Sequence, residues 1–310
     1  LFYIHDYYTI CNSATLLNYK GVLCEEGFLT NEKCADCKFY CPSLDFKVKF
    51  YDFVNCFKSR IKFLCPSNAC KRWFLKQYSE YAKDTFVVFH QLTKGIYHIP
   101  ISDSDKIKVA YVGVPVPAKG WTQFTNLYKK FKNDARYEFV YFSSVKDNNT
   151  DIRNVPVNFQ TSLSAMLDAI RLEKVDYVVL WSTWPETYSY TYYESYNSGC
   201  CILTNKDSGN IAEQVINMEA GLVMTEKELM GFFDDFEQVS NFRRKYVKQK
   251  ISVGKILYEN DEIVNISEES CGTWTGTLEK TIHIDLIGIL LKAAYIAKIR
   301  CKKRNDTYEL

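Results

Sequence analysis

The chain has 310 residues, 47% of them hydrophobic and 15% aromatic, which is enough apolar material for one large core or two smaller ones. Its 39 basic and 37 acidic side chains leave a formal charge of +2, so no excess charge argues for nucleic acid as a partner. No run reaches the roughly 18 uncharged apolar residues that a membrane-spanning helix needs, because Asp285, Lys292 and Lys298 interrupt the best stretch. The reading is a cytoplasmic protein, with at most peripheral contact on the inner face of a membrane.

The sequence opens on Leu1-Phe2-Tyr3-Ile4, an apolar strand that runs directly into His5-Asp6-Tyr7. With no leader in front of it, this opening predicts a fragment whose missing upstream part belongs to the same protein. A histidine at a strand end can donate a hydrogen bond to a sugar hydroxyl or a departing phosphate, or can be merely structural.

Cysteines crowd the first 70 residues: Cys11, Cys24, Cys34, Cys37, Cys41, Cys56, Cys65 and Cys70. In a reducing compartment, Cys11 and Cys24 with the Cys34-x-x-Cys37 pair have the residue types and spacing of a structural zinc site. Small buried hydrophobes or a partial disulfide set are the competing reading. Two further strands are predicted at 61–65 and 86–89, with a helix at 71–81 between them. The polar segment 95–105 is predicted as an interdomain linker.

From Lys106 onward, short β-rich runs alternate with helical patterns, the signature of a parallel sheet wrapped by helices. Strands are predicted at 108–112, 137–142, 175–180, 200–204 and 221–224. Helices are expected around Trp121, Phe124, Leu127, Tyr128 and Phe131, at 163–170 with Leu163 on the apolar stripe, and at 210–217. The near-continuous apolar run at 175–180 fits a strand buried on both faces. A last helix, 278–299, ends in a basic cluster; it packs on the first domain or docks on anionic lipid.

Three segments carry chemistry. In open α/β sheets, ligands bind beyond the carboxyl ends of the strands. The loop after the strand at 175–180 holds Trp184-Pro185-Glu186-Thr187-Tyr188-Ser189, with Glu194 following in a helix, so two carboxylates are expected at one cleft, where they can accept hydrogen bonds from sugar hydroxyls. The loop after the strand at 108–112 offers Gly113 for close backbone approach and Lys119 to neutralise a diphosphate. His5 is the third element. No Gly-x-Gly-x-x-Gly fingerprint or P-loop is present, which argues against a nicotinamide oxidoreductase and against ATP hydrolysis.

Taken in order, His5-Asp6-Tyr7 with Cys11, Cys65-Pro66-Ser67, Val112-Gly113, Lys119-Gly120-Trp121, Trp184-Pro185-Glu186 with Glu194, and Gly209-Asn210-Ile211-Ala212-Glu213 resemble the retaining GT-B glycosyltransferases of family 4. The resemblance implies an α/β, GT-B architecture of two Rossmann-like domains, the N-terminal one incomplete. Residues 1–100 would be the acceptor side, 101–275 the nucleotide-sugar-binding side, and 276–310 a helix returning to the first domain. It implies no obligatory metal, a nucleotide-diphosphate sugar as donor, and a glycan or lipid-linked acceptor. By the same carry-over, Glu186 would hold the donor sugar, Glu194 the ribose, and Lys119 with Gly113 and the loop Thr187, Tyr188 and Ser189 the diphosphate. His5 would meet the transferred sugar or its leaving group. Val114 and Pro115 stand where many members carry an arginine, which leaves Lys119 as the expected cation. A module that binds nucleotide sugar or glycan without turnover is the alternative.

Overall fold

The computed structural model describes residues 1–24, 34, 36–57, 60–98, 106–160, 162–249, 252–257 and 266. The predicted C-terminal helix at 278–299 lies outside the described residues.

The N-terminal lobe is built on three parallel strands in the order β1 (Phe2–Tyr3), β2 (Phe63–Cys65), β3 (Thr85–Val87). Helix α1 (Tyr40–Phe57) and helix α2 (Asn68–Gln77) pack on it. Aromatic residues dominate its core: Tyr7, Phe50, Phe63, Phe74 and Tyr78 are all buried, and each such ring contributes about 1.5–3 kcal/mol when taken out of water. Helix α2 starts where it does because the Ser67 hydroxyl accepts the Cys70 amide at 3.0 Å, satisfying one of the amides that a helix start leaves without a partner.

Strand β4 (Leu92–His98) pairs antiparallel with a strand near the end of the described chain, Ser252–Leu257, called β11 below. The predicted linker therefore begins after a strand that covers 95–98. Residues 99–105 lie outside the described residues.

The second lobe is a six-stranded parallel sheet. In chain order its elements are β5 (Ile107–Val112), α3 (Trp121–Phe131), β6 (Tyr137–Ser143), β7 (Arg153–Pro156), α4 (Ala165–Leu172), β8 (Tyr177–Val179), α5 (Tyr190–Asn197), β9 (Cys201–Thr204), α6 (Asn210–Asn217), β10 (Gly221–Val223), α7 (Glu226–Asp234) and α8 (Phe236–Gln249). The strands lie in the order β10-β9-β8-β5-β6-β7. Counted within this lobe, that is the 3-2-1-4-5-6 order of a Rossmann sheet, with the reversal between β5 and β8.

Alternation along the strands explains why both faces are covered. Ala110, Val112, Val140, Phe142, Val178 and Ile202 point to one side and meet Ile170, Tyr192, Tyr196 and Val215 of α4, α5 and α6. Their neighbours Val109, Tyr111, Phe139, Tyr141, Tyr177 and Leu203 point to the other side and meet Phe124, Leu127, Phe233 and Tyr246 of α3, α7 and α8. A period of two with apolar residues at both phases is what a parallel strand buried on two faces requires. The expected α/β class with Rossmann-like lobes is thus present. One detail of the sequence reading is corrected: Leu163, expected on the apolar stripe of α4, is 67% exposed, because the helix begins two residues later at Ala165.

Candidate functional site

The strand-order reversal between β5 and β8 leaves a crevice at the carboxyl edge of the sheet, the place where an open α/β sheet offers loops and helix starts from both directions. Val112 and Gly113 line it from the end of β5, and Leu180 and Ser182 from the end of β8. Lys119 enters from the loop after β5, and Glu186 and Ser189 from the loop after β8. The crevice is narrow, with room for about 20 Å³, the scale of one water molecule.

Two glycines bring the walls this close. Gly120, at φ +85°, has Trp181 so near that a Cβ would sit 2.4 Å from it. This lets the turn Pro117–Lys119 lie on the end of β8, where the Ala118 carbonyl accepts the Thr183 amide at 2.9 Å. Gly209, at φ +61°, lies under the other loop, and a Cβ there would meet the Pro185 carbonyl carbon at 2.5 Å and the Glu186 nitrogen at 2.6 Å.

Within the crevice Lys119 Nζ stands 3.9 Å from Glu186 Oε1. The lysine is half exposed, whereas Glu186 is buried. Burial pushes the Glu186 carboxyl above its ordinary range, and the Lys119 ammonium and the Ser182 hydroxyl pull it part of the way back. Desolvation disfavours the charged form, while a nearby cation and a hydrogen-bond donor favour it. The net effect is upward, towards the protonated form, which can donate to a hydroxyl as well as accept from one.

The other predicted residues have distinct places. Ser189 caps α5, its hydroxyl accepting the Tyr192 amide at 3.2 Å while its own amide donates to Asn210 Oδ1 at 3.3 Å. Thr187 joins the lobes: its hydroxyl donates to the His5 carbonyl at 2.6 Å, and its carbonyl accepts the Ser67 hydroxyl at 2.6 Å. Tyr188 is buried and stacks on Tyr193 with ring centres 4.7 Å apart. Glu194 lies on α5, buried, with its carboxyl pushed up to about 8 by desolvation. It is not among the residues lining the crevice.

His5 is exposed at the lobe junction and does not line the crevice either. Its ring stacks on Tyr3 at 4.7 Å and lies nearly parallel, at 8°, to that of His90 at 5.7 Å. His90 in turn stacks on Tyr190 of α5 at 5.5 Å. Burial and the neighbouring His5 push the His90 imidazole down to about 4, so it is neutral at physiological pH. His90 was missed in the sequence; the available signal was its place just past β3, as His5 lies just past β1.

Cys11, Cys24, Cys34 and Cys37 are free, half-buried thiols. Burial pushes the Cys24 thiol up, and Cys11, Cys34 and Cys37 push in the same direction, so each of the three lies within electrostatic reach of Cys24. Among the described residues no group of three or more His, Cys, Asp or Glu side chains is placed to hold a metal ion. Also among the described residues, no helix is long and apolar enough to cross a membrane.

A hollow larger than the crevice lies on the other side of the Pro185–Glu186 step, between α2 and α6, with a volume of about 560 Å³. Sequence reasoning did not find it, because its walls bring α2 together with segments, from Pro185 onward, that follow it by more than 100 residues.

No family model and no curated protein matches the chain. Solved structures do. The chain is similar in structure to glycosyltransferases. One is a glycosyltransferase from Rickettsia africae, at 12% identity over 64% of this chain and 62% of that one, with a TM-score of 0.46. Another is the C-terminal domain of a glycosyl transferase group 1 family protein, LpcC, from Francisella tularensis, at 15% identity over 46% of this chain and 85% of that one, with a TM-score of 0.33. Anabaena HepE, solved in complex with UDP and glucose, matches at 15% identity over 80% of this chain and 66% of that one, with a TM-score of 0.46. The chain spans less than half the length of the GtfA/B and TarM chains that it also matches. At these identities and scores the fold stands on the strand order of the chain itself.

Proposed function

We propose that the chain transfers a sugar from a nucleotide-diphosphate donor to a glycan or lipid-linked acceptor, with retention of configuration. The observation that carries this reading is the meeting of Lys119 and Glu186, 3.9 Å apart, in a crevice at the strand-order reversal of a Rossmann sheet. A cation and a carboxyl side by side suit a ligand that has a diphosphate at one end and hydroxyls at the other.

In this reading residues 101–275 form the donor side and residues 1–100 the acceptor side. Lys119 and the backbone at Gly113 receive the diphosphate, and the ammonium stabilises charge growing on it as the glycosidic bond opens. Glu186 holds hydroxyls of the transferred sugar. His5, across the lobe junction, contacts that sugar or its leaving group. Glu194 meets the ribose after the crevice has widened. A crevice of about 20 Å³ is far below the roughly 300–1,000 Å³ of a small-molecule site, so the crevice must widen to admit a donor.

The test is thermal shift with UDP-, GDP-, dTDP- and CDP-sugars, followed by assay for released nucleoside diphosphate. At free ligand about 100-fold above Kd, binding to the native state alone adds about 2.7 kcal/mol of stability. One donor family should raise Tm; Glu186→Ala should abolish the rise, and Lys119→Ala should diminish it. A shift that survives both substitutions would overturn the assignment. A lost shift combined with no turnover of any acceptor would leave a binding module in place of an enzyme.

A further inference from the structure

The hollow between α2 and α6 joins the two lobes. Arg72, Trp73 and Lys76 line it from α2, and Lys206, Asp207 and Glu213 from the turn and helix after β9. Arg72 and Glu213 meet across it as a fork, Nη1 to Oε1 at 3.2 Å and Nη2 to Oε2 at 3.3 Å. Pro185 forms part of its wall, while the next residue, Glu186, lines the crevice. One peptide step therefore separates the two hollows.

We propose that this groove binds an uncharged oligosaccharide, the glycan end of the acceptor. Its lining sets three cations, Arg72, Lys76 and Lys206, beside two carboxylates, Asp207 and Glu213, which is close to balance and lacks the strong positive field that a polyanion site needs. Each sugar hydroxyl is both donor and acceptor, and needs both kinds of partner. Arg72, Lys76 and Lys206 supply donors; Asp207 and Glu213 supply acceptors. Trp73, half-buried in the wall, supplies an aromatic surface; Lys76 Nζ, 4.2 Å from its ring centre, covers one face, so the apolar face of a pyranose lies against the part of the ring left open. The volume of about 560 Å³ falls within the range of sites that hold small organic ligands. Calling the saccharide an acceptor rests on the transferase reading; binding to the groove does not.

The experiment is saturation-transfer NMR and tryptophan fluorescence on the full chain, with maltotriose, cellotriose, chitotriose and mannotriose as probes and a sulfated oligosaccharide as the charged comparison. At least one neutral trisaccharide should bind with Kd in the millimolar range or tighter, insensitive to salt. Asp207→Ala and Lys206→Ala, both surface changes, should each weaken it about tenfold. Trp73→Ala should abolish it, and because Trp73 also packs on the N-terminal core, its melting curve is recorded alongside. Glu186→Ala should leave trisaccharide binding intact while removing the donor shift, so failure of the donor site and failure of the groove are separate outcomes. No binding by any neutral probe at about 10 mM, binding that persists in Asp207→Ala and Lys206→Ala, or salt-sensitive binding of the sulfated probe alone would each overturn the proposal.

Discussion

The carbonyl of Glu186 accepts the amide of Asn210 at 2.9 Å, and Gly209, directly before that amide, has no room for a side chain. The loop that carries the proposed sugar-binding carboxylate is thus seated on the first turn of α6 by a hydrogen bond and by a missing Cβ. Gly209→Ala puts a methyl within 2.5 Å of the Pro185 backbone at φ +61° and ψ −119°, a conformation that costs a residue with a Cβ about 1–3 kcal/mol before the clash is counted. For a chain of this length each kcal/mol lowers Tm by about 1.5–2 °C. A melt of the variant should show a fall of several degrees, and donor affinity should fall with it. An unchanged Tm and an unchanged donor shift together would show that the loop is not held here.

The Lys119–Glu186 pair gives a second prediction, in pH. Burial raises the Glu186 carboxyl and Lys119 is the largest influence lowering it, so Lys119→Met moves its pKa further up. If the ionised carboxylate receives the sugar, the pH above which donor binding is full should move upward in the variant. Donor thermal shifts recorded across a pH series measure this. A variant with weakened binding but an unmoved pH profile would mean that Lys119 acts on the ligand alone.

What could be read in the sequence follows from where each signal resides. The strands β5, β6, β8 and β9 were legible because both phases of each strand are apolar. Strand β7 was not, because Arg153–Pro156 is only half buried at the sheet edge and carries no apolar run. Helix α8 was hidden because the buried stripe Val239, Arg243, Tyr246 places a charged residue at its centre. Strands β4 and β11 pair segments 154 to 165 residues apart and have no local signature. The Lys119–Glu186 meeting was legible from position alone, since both follow strands that adjoin at the reversal. Glu194 was expected at the same cleft by counting helical turns from Glu186. The helix starts only at Tyr190, however, so helical spacing does not relate the two.

Glu194 supplies the third prediction. Its carboxyl is raised from 4.5 to about 8 by burial, so between those values the native state holds a proton that the unfolded chain has released. The contribution of Glu194 to stability is then full below about pH 4.5 and declines as pH rises towards 8, because at this group the native state binds more protons than the unfolded one throughout the window. Glu194→Gln removes this slope. Melts of the two proteins across the window should converge at the acid end, and the variant should be the more stable at pH 8. Parallel curves would show that Glu194 is ionised in the folded protein.

The fourth prediction concerns the opposite edge of the same sheet. Asp176, just before β8, accepts Arg243 Nε on Oδ1 at 3.0 Å and the Lys108 amide on Oδ2 at 2.9 Å. Arg243 also donates from Nη1 to the Gly199 carbonyl at 2.8 Å. With side chains only 10% and 6% exposed, the pair ties the entries of β5, β8 and β9 to α8. Removing one partner leaves a buried charge uncompensated, so Asp176→Ala should cost about 3–5 kcal/mol. Asp176→Leu combined with Arg243→Met should recover much of that loss, because matched apolar residues remove both desolvation penalties at once. Urea unfolding of the singles and the double measures the coupling directly. A loss below about 1 kcal/mol in Asp176→Ala would mean that water reaches the pair. Since Asp176 enters β8 at the edge away from Glu186, the donor shift of the folded variant should be unchanged, and stability loss is thereby separated from damage to the crevice.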